Sequence, residues 1–72
     1  MPGSRSISLH ANGQTYALPA GTTLPAFLQD QGLAVERVVI ERNGAPLTQA
    51  EARATVLEDG DRLEIVRIVA GG

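Results

Sequence analysis

Seventy-two residues hold one small domain with little room for a deep pocket, because a chain this short buries only about 60% of the surface its unfolded form exposes. A hydrophobic content of 43% against 19% charged residues is that of a folded globular chain. A net charge of −2, with acids and bases interspersed, leaves no footprint for nucleic acid. Cysteine is absent and histidine occurs once, at His10, so disulfides, thiolate chemistry on this chain and a histidine-built metal site are excluded. No apolar run approaches the roughly 18 residues of a membrane span and there is no signal-peptide pattern, so the expectation is a cytoplasmic protein with no membrane partner and no bound cofactor.

Residues 1–5 read as a flexible leader. Ile7, Leu9 and Ala11 then alternate with Ser6, Ser8 and His10, the period-two pattern of a strand with one buried face, which points His10 outward. Asn12-Gly13 follows, and this pair between alternating segments signals a type I′ hairpin because both turn positions need positive φ. The return strand runs from Gln14 to Leu18 with Tyr16 and Leu18 inward, and Pro19-Ala20-Gly21 ends it.

Thr22 or Thr23 can cap a helix whose Pro25 sits where its missing N–H costs nothing. Leu24, Phe27 and Leu28 form one apolar stripe over about two turns. Gly32 reads as the left-handed residue after the helix, with Leu33 as the hydrophobic partner of a Schellman ending. Val35 to Arg42 contains the run Val38-Val39-Ile40, which predicts a central strand covered on both faces or nearly so. Asn43-Gly44 turns the chain into a short strand from Ala45 to Leu47. Thr48 and Glu51 have capping-box spacing, so a helical turn follows through Ala50, Ala52 and Ala54. Glu58-Asp59-Gly60-Asp61 is a turn, and Arg62 to Val69 is the last strand.

This order, a hairpin, a crossover helix, then strands with a helical turn among them, is the ubiquitin-like β-grasp arrangement of a mixed sheet, an α+β fold over residues 6–69. The first and last strands are predicted to lie side by side in mid-sheet, leaving residues 70–72 as a flexible tail.

The last fourteen residues carry the chemistry: Asp59-Gly60-Asp61, then the apolar strand, then Ala70-Gly71-Gly72. Two terminal glycines arise by chance in roughly one chain in two hundred. Together with the D-G-D turn upstream, they resemble the end of ThiS-type sulfur carriers, and the resemblance covers Ser6 to Gly72. It implies a protein co-substrate, with catalysis belonging to its partners. A ThiF-type enzyme would use Mg-ATP to adenylate the Gly72 carboxylate, a sulfur donor protein would convert it to a thiocarboxylate, and a ThiG-type thiazole synthase would take the sulfur during thiamine biosynthesis. A terminal carboxylate, with a pKa near 3.3 to 3.7, is a poor electrophile until activated. Residues without Cβ let a backbone thread a narrow channel, the role expected of Gly71 with Ala70. From Val69 to Gly72 the chain reaches at most about 14 Å.

Alternation in the last strand sends Leu63 and Ile65 to the core and Val66 and Ile68 to the opposite face, where exposed apolar side chains mark a docking surface. Arg62, Glu64 and Arg67 are its expected polar rim. Three other readings share the pattern: a MoaD-type subunit of molybdopterin synthase, a ubiquitin-like modifier of target proteins, and a β-grasp interaction module with an idle tail. The absence of lysine argues against self-linked chains in the second.

Overall fold

The computed structural model describes residues 5–68. Most of the predicted leader, Val69 of the predicted last strand and the predicted tail at Ala70, Gly71 and Gly72 lie outside the described residues.

β1 (Ser6–Ala11) and β2 (Gln14–Pro19) form an antiparallel hairpin that pairs Leu9 with Tyr16 and Ile7 with Leu18. Its turn has φ of 51° at Asn12 and 83° at Gly13, as a type I′ turn requires. α1 (Leu24–Asp30) is capped by Thr23, whose hydroxyl accepts from the Ala26 N–H at 3.2 Å. Thr22, the other candidate cap, donates instead to the Pro19 carbonyl. At the helix end Gly32 has φ 75°, its N–H donates to the Gln29 carbonyl at 2.9 Å, and the Leu33 N–H donates to that of Leu28 at 2.8 Å. These are the two bonds of a Schellman motif.

β3 (Val38–Arg42) is shorter than the sequence suggests, because residues Val35–Arg37 coil into a 3₁₀ turn before it. β4 (Ala45–Leu47) follows the Asn43-Gly44 turn, and α2 (Gln49–Ala54) opens on the expected capping box. There the Glu51 carboxylate accepts from the Thr48 N–H at 2.8 Å and the Thr48 hydroxyl accepts from the Glu51 N–H at 3.0 Å. β5 (Arg62–Arg67) completes a single sheet of order β2-β1-β5-β3-β4. β1 runs parallel to β5 and every other pair is antiparallel. The mixed sheet with one main helix is the expected ubiquitin-like β-grasp, with β1 and β5 adjacent at its centre.

The core lies on one face of the sheet. Phe27, Leu24 and Leu28 of α1 and Ala52 of α2 pack against Leu9, Ile40 and Leu63, and the Tyr16 ring meets that of Phe27 edge-on at 5.0 Å. Both helices contribute to this one face, so Val39 is 52% exposed. The expectation that β3 is covered on both faces therefore fails: a β-branched run here signals a strand interior to the sheet but not one buried twice.

Candidate functional site

β5, which leads toward Gly72, is held by its neighbours through main chain and side chain together. The Asp61 and Leu63 carbonyls accept from the N–H groups of His10 and Asn12, at 2.9 and 3.1 Å, while the Arg62 carbonyl accepts from the Asn43 N–H at 2.8 Å. Each Asn-Gly turn also contributes an amide side chain. Asn43 Oδ1 accepts from the Arg62 N–H at 2.9 Å. Asn12 Oδ1 accepts from the Ile65 N–H at 2.8 Å, and Asn12 Nδ2 donates to the Ile65 carbonyl at 2.9 Å. Asn12 thus imitates one further peptide unit of β1. The turn signal locates both asparagines, but nothing local in the sequence reveals that they clamp a strand some fifty residues and some twenty residues away.

The Asp59-Gly60-Asp61 turn fixes the base of the same strand. Asp59 Oδ1 accepts from the Ser8 N–H at 2.7 Å, and Gly60, at φ 86°, donates its N–H to the Ser8 carbonyl. Asp61 is 4% exposed. Its carboxylate accepts from Arg42 Nε at 3.0 Å and Nη2 at 2.8 Å, from Asn43 Nδ2 at 3.0 Å and from the Glu58 N–H at 2.9 Å. Burial alone raises the Asp61 pKa. The Arg42 bonds, the Glu58 N–H, the Asn43 amide and the Arg42 charge outweigh that and hold it below the ordinary carboxylate value.

The open face of the sheet carries most of the predicted docking residues. Arg62, Glu64 and Val66 project there from β5, Val66 being 62% exposed; Ile68, just beyond the strand and 51% exposed, borders the hollow that Leu33, Arg37 and Arg67 also line. Val39 sits directly across from Val66 and enlarges the apolar patch, a residue the sequence reading left out. Glu41 lies opposite Glu64 in the same way, two like charges facing each other. Arg67 alternates to the other side with Leu63 and Ile65, where it lines an open groove beside Phe27 and Leu33. Ile65 is only partly buried at this rim, whereas Leu63 is fully buried.

Among the described residues no group of three or more His, Cys, Asp or Glu side chains is placed to hold a metal ion. Likewise, no helix among them is long and apolar enough to cross a membrane. His10 shares a 3.2 Å hydrogen bond with Thr15 on the open face.

A clamped central strand in a five-stranded mixed sheet under one crossover helix defines a ubiquitin-like β-grasp protein. The ThiS family profile matches residues 8–72, and the chain belongs to that family. It is similar to the crystal structure of thiamine biosynthesis protein ThiS from Geobacter metallireducens, with a TM-score of 0.73, 28% identity, and coverage of 92% of this chain and 100% of that one. A thiazole synthase of Magnetococcus marinus is 38% identical over 66 residues, 92% of this chain and 20% of that protein. The chain therefore spans about a fifth of the length of that curated relative. The uncharacterized protein ycf40 of Pyropia yezoensis is 33% identical over 93% of this chain and 94% of its own length.

Proposed function

We propose that this protein is a sulfur carrier for thiazole formation in thiamine biosynthesis, acting in the cytoplasm as a co-substrate. A ThiF-type enzyme uses Mg-ATP to adenylate the Gly72 carboxylate, whose oxygen attacks the α-phosphorus and releases pyrophosphate. The terminal persulfide sulfur of a sulfur donor protein displaces AMP from the acyl carbon to give an acyl disulfide. A protein thiol then cleaves its S–S bond, is itself oxidised to a disulfide, and releases the thiocarboxylate. The terminal sulfur is the nucleophile offered to a ThiG-type thiazole synthase. The observation that carries this reading is the family match running through Gly72, and the similarity to a thiazole synthase supports the thiazole branch. Separation of fold from chemistry is consistent with it: the clamps at Asn12, Asn43 and Asp61 act on residues up to Ile65, and Gly72 comes later in the chain. The patch of Val39, Val66 and Ile68, rimmed by Arg62 and Glu64, is the surface that a partner enzyme grips while Ala70 and Gly71 thread its channel.

Removing Gly72, or appending one residue after it, is expected to abolish ATP–pyrophosphate exchange by the activating enzyme and leave the melting temperature nearly unchanged. Intact mass spectrometry of the carrier incubated with enzyme, Mg-ATP and sulfur donor is expected to show the replacement of one oxygen by sulfur. Normal exchange with a blocked or shortened terminus refutes the proposal.

A further inference from the structure

β1 stops short of the end of β5. The ladder between them pairs His10 with Arg62 and Ala11 with Leu63, after which the chain turns away at Asn12-Gly13. Peptide groups along β5 alternate in direction. Those of Asp61, Leu63 and Ile65 bond toward β1 or the Asn12 side chain. The Arg62 carbonyl and the Ile68 N–H bond the other way, to Asn43 and to the Arg37 carbonyl. Continuing the alternation aims the N–H and C=O of Arg67 away from β3, one step past the Asn12 amide. Among the described residues the β1 ladder ends at Leu63 and no bond from a turn, loop or cap reaches either group. An open strand edge of this kind is a template for pairing.

Beside this edge the groove between β5 and the end of α1 is floored by Phe27, Leu33 and Ile65. It continues into a depression bordered by Arg37 and Arg67. These two arginines are the only charged residues among the described ones lining either hollow, and neither is in an ion pair among the described residues. On a chain of net charge −2 this is a local reversal of sign.

We infer that the edge accepts an extended segment of the activating enzyme, which adds a short strand to β5 where β1 leaves off. Its chemistry is set by the groove: one apolar side chain toward Phe27 and Leu33, and a carboxylate facing Arg37 and Arg67. In strand addition the main-chain hydrogen bonds supply affinity and the hollows beneath alternate side chains supply specificity. The inference rests on the carrier reading above, since the segment belongs to the enzyme that acts on the terminus.

Amide hydrogen exchange, read residue by residue in the full-length carrier alone and saturated with the activating enzyme, tests it. The Arg67 amide is expected to exchange as an open amide in the free protein and to slow about tenfold or more in the complex. The Val66 amide, directed at β3, changes far less. An Arg67 amide that stays open in the complex overturns the inference. Arg67→Glu is expected to raise KM for the carrier about tenfold with kcat unchanged, while Arg67→Lys stays near wild type; a wild-type KM for Arg67→Glu also overturns it. Protection of Arg67 that grows with carrier concentration in the absence of enzyme assigns the edge to a second copy and refutes an enzyme segment. The Gly72 deletion keeps the two readings apart. If deletion abolishes exchange but Arg67 stays open in the complex, the carrier reading stands and the edge docking falls. If exchange survives the deletion, the carrier reading itself falls.

Discussion

Replacing Asp61 with alanine removes four hydrogen bonds at a carboxylate that is 4% exposed. It strands the Asn43 amide, the Glu58 N–H and the Arg42 guanidinium. Breaking a buried ion pair by removing one partner costs about 3 to 5 kcal/mol. The Arg42 side chain is 25% exposed and keeps a long contact to the Val56 carbonyl, so the lower end of that range applies. A loss of about 3 kcal/mol is a large share of a stability near 5 kcal/mol for so small a domain. It corresponds to a drop in melting temperature of roughly 12 to 24 °C. Urea and thermal unfolding followed by circular dichroism measure it directly.

The pH dependence gives a second handle on the same residue. Because the folded pKa of Asp61 is lowered below 3.8, its ionised form contributes stability that is fully present above that unfolded value. The contribution is lost as pH falls through the folded value. The wild-type protein is therefore expected to weaken below about pH 4, and Asp61→Asn, which cannot ionise, to weaken less steeply there. An Asp61→Ala protein that melts with the wild type, or an Asp61→Asn protein with an unchanged acid slope, refutes the assignment of Asp61 as the anchor of β5.

Other substitutions separate folding from docking. Leu63→Ala, at a fully buried position, is expected to destabilise by about 2 to 5 kcal/mol. Ile68→Asp, at a half-exposed position, is expected to leave unfolding nearly unchanged while sharply weakening affinity for the activating enzyme; its unfolding together with Leu63→Ala would make Ile68 a core residue and refute its docking role. Asn12→Gly keeps the positive φ but loses both bonds to Ile65, so a loss of about 1 to 3 kcal/mol in denaturant titration is expected. Glu41→Gln relieves the repulsion across from Glu64 and is expected to raise stability by up to about 1 kcal/mol, more at low salt than at high.

Local chemistry was enough to place most elements. Asn-Gly pairs demand positive φ wherever they fall, Thr48 and Glu51 cap each other across three residues, and alternation in Ser6–Ala11 needs only one buried face. The element order in turn made the β-grasp legible, and the segment from the D-G-D turn to Gly72 pointed to the family. Contacts between distant segments were a different matter. Val39 read as buried because its neighbours are β-branched, but both helices pack on one side of the sheet and leave it facing Val66 in the open. Asp61 read as a turn residue, yet its carboxylate is buried because the Asn43 turn brings Arg42 and Asn43 onto it from nineteen and eighteen residues away. Among the described residues the peptide group of Arg67 is left open because β1 ends at Ala11 while β5 runs on. Propensity, capping and turn geometry act over a few residues and so are written in the chain order. Which strand runs past its neighbour, and which face is left uncovered, is decided only when the segments meet.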